Sequence, residues 1–374
     1  MERNNLLKNF YHQYFARFAL FREVAFFLKK ARSPGEHYRR PTWKRESCPR
    51  KLSGLRIAII CDNMTWENMR RETRAIYLRP SDWRERMETE HPDLLFCEAT
   101  WEGLDRCWQN MVYHDRTLRQ DNRFVLRQIL RYCREADIPT VFWNKEDTPA
   151  FSDHPCSFID TALLFDHIFT TAAECIPQYR LLGHPSVSLM MFGFSQQLFY
   201  PLPAPTRRNT VIFFGSWYQN NPKRCRAMSQ AFDMVLENGF QLIIYDRLSD
   251  REYEDRIFPE KYQPYIANRV PYVELRETMR DAEYVININS VEDSDTMFAR
   301  RVVEIMACGR MIISNESVGM RRRFPGRVWF VGEPFDSSCQ TRAVQENMRT
   351  VYAEYTFGGQ LEMALREAGI LQIS

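Results

Sequence analysis

The chain has 374 residues, which is more than one hydrophobic core usually holds, so we expect two domains. Its composition, 44% hydrophobic and 26% charged, is that of a soluble globular protein, and a net charge of +3 argues against a general polyanion binder. The ten cysteines include no Cys-x-x-Cys pair, and the seven histidines are dispersed. This disfavours zinc ribbons, thioredoxin motifs and metal centres, and it favours a reducing cytoplasm.

Basic residues are concentrated at the N-terminus. Residues 1–50 contain twelve Lys/Arg and four Asp/Glu, a net charge of +8, which leaves −5 for the rest of the chain. Residues 1–53 form an extension, in which residues 5–32 place aromatic and basic side chains at helical spacing and residues 33–53 have the composition of a linker. The predicted helix either lies on a membrane surface or packs on the protein with a solvated basic face, and both interpretations stay open.

The expected location follows from the apolar runs of the chain. No run is long enough to span a membrane, and none has the form of a secretory signal. We therefore expect a cytoplasmic protein, which the first interpretation of the basic helix would place at the inner face of the cell membrane.

From residue 54 onward, strand-like and helix-like segments alternate. Apolar runs such as LRIAIICDN and PTVFWNKED, separated by helical segments, are typical of parallel strands that are buried on both faces. The proline-rich stretch PLPAPTRRNT then predicts a linker, and a second alternation follows it. We predict an α/β protein with two tandem, doubly wound, Rossmann-like domains, residues 54–205 and 206–340, and helices over 341–374 that pack back on the first domain.

Two common nucleotide-binding classes are disfavoured. The first strand ends in CDNMTWEN, without the Gly-x-Gly-x-x-Gly pattern of dinucleotide-binding folds, and no P-loop sequence is present. NAD dehydrogenases and P-loop NTPases are therefore poor candidates. In open parallel sheets, ligands bind beyond the carboxyl ends of the strands, so the residues that follow each strand are the ones to inspect.

The first strand of the second domain ends in FFGSWYQNNPKR. Gly215 permits close approach of a ligand to the backbone, and the Ser216 hydroxyl can donate to an oxygen. Lys223 and Arg224 follow at the start of a helix, where exposed N–H groups and two cations suit a diphosphate. A solvated basic turn is the alternative. Four further residues near strand ends are candidates for the same nucleotide site: Tyr245, Arg247, Ser290 and Thr296. For Tyr245 and Arg247, a structural corner at the strand end is an equal alternative.

A polar stripe interrupts the apolar helix in SDTMFARRVVEIMACG. Arg300, Arg301 and Glu304 share one helix face, opposite an apolar arc that faces the core, and Ser294 or Asp295 is the expected N-cap. A carboxylate in this position can accept hydrogen bonds from two ribose hydroxyls. The alternative is a local ion pair that contributes about 0.3–0.5 kcal/mol.

Polar residues also follow the strands of the first domain. Trp101 either stacks on a sugar ring or packs at the rim, and the WNKED stretch either forms a site or caps a helix. If the reaction needs a general base, the candidates are Glu98, Glu146 and Asp147, whereas in the other mechanism the departing phosphate takes the proton. The residues expected to bind an acceptor are Asn63, Trp101, Asn144 and Lys145.

Several stretches resemble GT-B glycosyltransferases of group one. The segment RRVVEIMACGRMIIS is similar to that family's E-A-x-A-C/S-G-x-P-V-I stretch, in which a second glutamate, after Glu and seven residues, binds the donor ribose. Glu304 matches this second glutamate, whereas Thr296 stands where the first, which contacts the donor sugar, would be. Over about residues 90–330 the chain resembles the spore-maturation-type (CgeB-like) branch, through CEATWEG, FWNKEDTPAF, FDHIFTTAAECIPQYRLLGH, FFGSWYQNNPKR, FPEKYQPY and NSVEDSDTMFARRVVE.

The resemblance implies a GT-B fold with a cleft between its two domains, and a glycosyltransferase that needs neither a metal nor another cofactor. Its donor would be a nucleotide-sugar, with YQPYI and VPYVEL lining the base pocket, and its acceptor a glycan or lipid-linked precursor in polysaccharide biosynthesis of the cell envelope. No nucleic acid partner is expected. The alternatives are a non-catalytic glycan- or nucleotide-binding protein on a GT-B scaffold, which Thr296 keeps open, and a nucleotide-sugar epimerase.

Overall fold

The computed structural model describes residues 23–24, 27–29, 38–45, 51–148, 156–207, 209–250, 254–334 and 337–371. They fall into two compact units: an N-terminal unit that ends at residue 191 and regains residues 357–371, and a C-terminal unit over residues 192–356. The predicted boundary lay at 205/206, with helices over residues 341–374 that pack back on the first domain. The predicted basic helix over 5–32 lies almost entirely outside the described residues.

The N-terminal unit is built on one parallel sheet. Its strands are β1 (Arg56–Ile60), β2 (Arg74–Tyr77), β3 (Leu94–Glu98), β5 (Thr140–Asn144), β7 (His167–Thr170) and β8 (Val187–Leu189). Two further short strands, β4 (His114–Asp115) and β6 (Cys156–Ser157), form a separate antiparallel pair. The sheet has the order β2-β1-β3-β5-β7-β8. Its helices are α1 (Asn63–Glu72), α2 (Trp83–Glu90), α3 (Phe124–Glu135), α4 (Ile159–Ala162) and α5 (Ile176–Leu181).

The C-terminal unit contains a second parallel sheet of six strands. These are β9 (Thr210–Gly215), β10 (Gln241–Asp246), β11 (Ile266–Ala267), β12 (Tyr284–Asn287), β13 (Met311–Ser314) and β14 (Trp329–Phe330). They have the order β11-β10-β9-β12-β13-β14. The helices that follow are α6 (Pro222–Glu237), α7 (Leu275–Thr278), α8 (Arg301–Ala307), α9 (Val318–Arg323), α10 (Gln340–Glu354) and α11 (Phe357–Glu367), of which α11 belongs to the N-terminal unit.

Burial explains why these segments form strands. All residues of β3, β5 and β12 are buried, as expected for parallel strands that are covered by helices on both faces. The edge strand β2 was not predicted, because it is only four residues long and begins with the exposed Arg74. The predicted α/β class, with two doubly wound Rossmann-like sheets in tandem, is confirmed.

Candidate functional site

The strand order of the C-terminal unit indicates which part of its sheet edge can bind a ligand. Counted along the chain, the order is 3-2-1-4-5-6, that of dinucleotide-binding folds, and it reverses between β9 and β12. Ligands of such sheets bind beyond the carboxyl ends of these two strands. Gly215 ends β9, while Ser290 and Thr296 follow β12. Ser290 is exposed, and the half-buried Thr296 donates its backbone N–H to Ser294 Oγ at 3.3 Å.

The end of β9 is tied to the end of β10. A Cβ at Gly215 would lie 2.5 Å from the ring of Phe213, so only glycine fits there without a shift of that ring. The Gly215 carbonyl accepts from the backbone N–H of Arg247 at 3.1 Å. Ser216 is buried and its hydroxyl donates to Asp246 Oδ1 at 2.8 Å. The hydroxyl that was expected to donate to a ligand therefore donates within the protein.

Helix α8 begins later than predicted. It starts at Arg301, with Arg300 as its N-cap residue, so the expected cap at Ser294 or Asp295 was wrong. The Ser294 hydroxyl instead accepts from the N–H of Met297 at 2.9 Å, which forms a local turn. The N–H of Ala299 donates to Asn289 Oδ1 at 2.8 Å. These side-chain acceptors compete with helical hydrogen bonds and delay the helix by about two turns.

Glu304 is enclosed by two donors. The residue is 0% exposed, and its Oε1 accepts from the Tyr272 hydroxyl at 2.5 Å. Its Oε2 accepts from Arg301 Nη1 at 2.8 Å. The Arg301 guanidinium also lies over the ring of Phe214, 5.5 Å from its centre, and Phe214 stacks on Tyr245. These five residues form the Glu304 cluster. Sequence reasoning missed the hydroxyl of Tyr272, which lies far from Glu304 in the chain.

The predicted polar stripe forms only in part. Arg301 pairs with Glu304 as expected for neighbours three residues apart. Arg300 is buried and lies over the ring of Phe192, 5.2 Å from its centre, so its direction differs from that of Arg301. Only one of the two arginines therefore contacts the carboxylate.

A cavity of about 430 Å³ lies beside Tyr245. Its lining includes Val270 and Pro271, from the stretch that the family resemblance assigned to a base pocket. Its volume is within the usual range for small-molecule sites. The remaining lining is polar and contains Arg269, Glu274, Glu277, Thr278 and Asp281.

The basic residues predicted to hold a diphosphate do not form one group. Lys223 is largely exposed and pairs with Glu292 at 2.8 Å, a hydrogen bond that raises the pKa of the Lys223 ammonium. Arg224 donates to the backbone carbonyl of Ser216 at 3.0 Å. Arg247 donates to the Tyr218 hydroxyl. Arg224 and Arg247 thus lie together near Tyr218, whereas Lys223 has a carboxylate partner of its own.

In the N-terminal unit, Lys145 bridges two carboxylates at the strand ends. Its Nζ lies 3.1 Å from Asp62 Oδ2 and 2.9 Å from Glu98 Oε1. Glu98 is 0% exposed and also accepts from the Thr65 hydroxyl at 2.6 Å and the Asp62 N–H at 2.8 Å. Both Glu98 oxygens are therefore engaged inside the protein. Asp62, Glu98 and Lys145 form the Lys145 cluster at the point where the strand order reverses between β1 and β3.

Trp101 and Asn63 are exposed at this edge, and the partly buried Glu146 lies beside Trp101. Trp101 is 39% exposed, and its ring packs on Tyr113 and Phe158 with centroids 5.2 and 4.8 Å away. Burial, and then the negative charges of Glu98 and Asp62, raise the pKa of the Glu146 carboxyl against the opposing effects of Lys145 and a hydrogen bond from Trp101. Asn63 is exposed at the start of α1. Trp101 and Asn63 are therefore accessible from solvent.

Asn144 and Asp147 are directed into the protein. Asp147 is 1% exposed and its Oδ1 accepts from Asn144 Nδ2 at 2.6 Å and from the Tyr179 hydroxyl at 2.8 Å, while Oδ2 accepts from the Thr170 hydroxyl. Burial raises the pKa of Asp147 to about 7. Asn144 is also buried. In this position neither side chain reaches a ligand without a rearrangement. The hydrogen bonds of Asn144 and Asp147 therefore indicate a structural role.

Two features bear on the expected partners. No helix within the described residues is long and apolar enough to cross a membrane. Within the same part of the chain, His, Cys, Asp and Glu side chains form no group of three or more that could hold a metal ion. Metal independence stays a prediction.

Comparisons with known proteins give a match to one family over part of the chain. Residues 218–343, about a third of the chain, match the family described as "Glycosyl transferase-like". The matched segment contains strands β10 to β14, the cavity and the Glu304 cluster except Phe214. A comparison with curated proteins gives no match.

The chain is also similar to several solved structures at low sequence identity. A glycosyltransferase from Rickettsia africae ESF-5 is 12% identical with a TM-score of 0.47, covering 86% of this chain and 100% of the other. HepE from Anabaena, solved with UDP and glucose, is 10% identical with a TM-score of 0.42, covering 84% and 96%. TarM is 9% identical with a TM-score of 0.43, covering 74% of this chain, which spans only 54% of the TarM chain.

Proposed function

We propose that the protein is a glycosyltransferase that moves a sugar from a nucleotide-sugar to a glycan or lipid-linked acceptor. The observation that carries this proposal is Glu304, a buried carboxylate in the glycosyl transferase-like segment, on the helix that follows β12. The sheet has the strand order of dinucleotide-binding folds, and β12 borders its reversal point. A carboxylate at this edge suits recognition of ribose hydroxyls.

Because Glu304 is 0% exposed, binding of a nucleotide to its carboxylate requires a local rearrangement that opens it to the ligand. Glu304 already accepts from Tyr272 and Arg301, and a carboxylate offers about four lone-pair sites. A ribose hydroxyl would take the place of the Tyr272 hydroxyl. Arg301 would then stabilise the negative charge that develops on the leaving nucleoside diphosphate, as a fixed cation does without reorganisation.

On the acceptor side, the exposed Trp101 and Asn63 of the N-terminal unit support a role in sugar binding. The exposed face of Trp101 can stack on a sugar ring, and Asn63 can hydrogen-bond its hydroxyls. The raised pKa of Glu146 suits a group that takes a proton from the acceptor hydroxyl. In the mechanism in which the departing phosphate takes this proton, Glu146 binds the acceptor only. The proposed acceptors belong to the cell envelope, and no metal or cofactor takes part.

The decisive experiment is calorimetric titration of UDP, GDP, ADP, CDP and CMP into the wild type and Glu304→Ala. We expect one nucleotide to bind the wild type and to bind Glu304→Ala at least tenfold more weakly, because hydrogen bonds to a charged group contribute about 1.5–3 kcal/mol. Glu237→Ala, which removes an exposed carboxylate at the end of α6, is the matched control and should leave affinity unchanged. Failure of every nucleotide to bind the wild type would refute the donor site.

A non-catalytic binding protein is the second candidate. It is favoured by Thr296 at the position where the related family has a glutamate that contacts the donor sugar. Release of free nucleoside diphosphate in the presence of an acceptor distinguishes a glycosyltransferase from a non-catalytic binding protein, because the binding protein releases none. An epimerase would change the sugar of the bound nucleotide-sugar without any acceptor.

The N-terminal extension supports a peripheral membrane location at the inner face of the cell membrane. We expect removal of residues 1–32 to reduce sedimentation with anionic phosphatidylserine vesicles, because this segment supplies seven of the basic residues of the extension. Nucleotide affinity of the shortened chain should stay at the wild-type value. Equal sedimentation of both chains would show that the helix does not act at the membrane.

A further inference from the structure

The cavity beside Tyr245 borders the surroundings of Glu304. Tyr245 belongs both to the cavity lining and to the Glu304 cluster. Pro271, another lining residue, directly precedes Tyr272, whose hydroxyl donates to Glu304 Oε1 at 2.5 Å. The base of a nucleotide is bonded to its ribose, so a ribose held by Glu304 would bring its base to this cavity.

Three carboxylates line the cavity, those of Glu274, Glu277 and Asp281. Glu277 pairs with two arginines, and Asp281 Oδ1 accepts from a threonine hydroxyl. Glu274 differs from both. Its side chain is exposed, and its carboxylate has no ion-pair or hydrogen-bond partner among the residues that the structure describes. The two oxygens of Glu274 are therefore available to a ligand in the cavity.

The four common bases differ in what they can offer to a carboxylate. A carboxylate only accepts hydrogen bonds, so it matches a base edge that carries two neighbouring donors. Guanine has such an edge, where the ring N1–H and the 2-amino group lie side by side. Uracil has one ring N–H between two carbonyl oxygens, and adenine and cytosine place a ring acceptor beside the amino group. Guanine alone can therefore donate to both oxygens of one carboxylate.

Two other lining residues also suit guanine. Arg269 Nη1 lies 2.5 Å from Asp250 Oδ2, but a guanidinium has five N–H donors, and an arginine commonly donates to O6 and N7 of guanine. Tyr245 is half-buried, and an aromatic side chain at a cavity wall can pack on the rings of a base. The volume of about 430 Å³ is that of a small-molecule site.

We infer that the cavity selects guanine through the carboxylate of Glu274, so that the donor is a GDP-sugar. This inference rests on the proposed function, because the base reaches the cavity only if Glu304 binds the ribose. It goes beyond the family resemblance, which implies a base pocket but no particular base. Glu274 was not predicted as a site residue.

The test is calorimetric titration of GDP, IDP, UDP, ADP and CDP into the wild type. The base of IDP is hypoxanthine, which is guanine without its 2-amino group, so IDP keeps the N1–H and loses one hydrogen bond to Glu274. GDP should bind the wild type about tenfold or more tightly than each of the other four, because paired hydrogen bonds to a base edge discriminate by this order.

Glu274→Gln tests the residue itself. Glutamine turns one of the two acceptors into a donor, which faces a donor of guanine. The variant should bind GDP roughly tenfold more weakly and bring the affinities of GDP and IDP within about threefold of each other, while UDP, ADP and CDP keep their affinities. Glu237→Gln makes the same change at an exposed position at the end of α6 and should change no affinity. Thermal melting checks that each variant is folded.

The outcomes separate this inference from the proposed function. Tighter binding of UDP, ADP or CDP than of GDP would overturn the selection of guanine and leave the donor site in place. An unchanged ratio of GDP to IDP affinity in Glu274→Gln would overturn the role of Glu274. If no nucleotide binds the wild type, the donor site itself is refuted, and the inference is refuted with it.

Discussion

Replacement of Lys145 by methionine is expected to lower the free energy of unfolding by about 3–5 kcal/mol. Lys145 is the cation between Asp62 and Glu98, and the Glu98 carboxylate is 0% exposed. Methionine has a similar length but no charge, so the change leaves a buried carboxylate without its counter-ion. Chemical denaturation of the wild type and the variant measures the difference.

Two further variants identify the cause of the stability loss expected for Lys145→Met. Lys44→Met removes a lysine whose pair with Asp137 is exposed, and it should change stability by less than about 1 kcal/mol. The double variant Lys145→Met/Glu98→Gln should recover most of the loss, because a neutral amide can accept from the Asp62 N–H and donate to the Thr65 hydroxyl. If the double variant is no more stable than Lys145→Met alone, the loss does not come from the unpaired charge of Glu98.

The second large effect concerns pH and Asp147. Burial raises the pKa of this carboxyl from 3.8 to about 7, so between these values the folded protein keeps a proton that the unfolded chain has lost. Stability should therefore fall as pH rises through this interval, by up to about 1.4 kcal/mol per pH unit and roughly 4 kcal/mol in all, and then level off. The nearby carboxylates of Glu146 and Glu174 act in the same direction as burial.

Asp147→Asn isolates this contribution. The amide oxygen of asparagine can accept from Asn144 and Tyr179 as the carboxylate does, and its NH₂ group can donate to the Thr170 hydroxyl oxygen. We expect the stability of Asp147→Asn relative to the wild type to increase from pH 4 to pH 7, measured by urea unfolding at each pH. Asp137→Asn makes the same change at an exposed position and is the matched control for it. A pH-independent difference for Asp147→Asn would contradict the raised pKa.

The comparison of sequence with structure separates local from long-range features. The apolar runs predicted both sheets, because a strand buried on both faces consists of consecutive apolar residues. The rule that polar residues after such strands lie at one edge placed Glu98 and Lys145 close together, and it placed Gly215 at the β9 end. The same rule did not predict that Asn144 and Asp147 face inward. The direction of a side chain at a strand end or just after it depends on its partners, which here include Tyr179 and Thr170.

The start of α8 shows the same limit. Ser294 is a good cap by residue type, but its hydroxyl forms a turn with Met297. The side chain of Asn289 accepts a hydrogen bond from the N–H of Ala299. Residue preferences describe what a segment can do alone, whereas these acceptors come from elsewhere in the loop and decide where the helix begins.

By itself, the sequence determined the α/β class and the two tandem sheets, because both depend on periodicity. It also gave a local ion pair with Glu304 as one of two interpretations of the polar stripe, because neighbours three or four residues apart share a helix face, and the structure has this pair at Arg301. Only the tertiary structure decided the strand orders, the enclosure of Glu304 by Tyr272 and the convergence of Arg224, Arg247 and Arg256 on Tyr218. Apart from the contact of Arg224 with Tyr218, these contacts join residues that are far apart in the chain. They exist because packing of the sheets brings loop ends together, and no local pattern records which ends will meet.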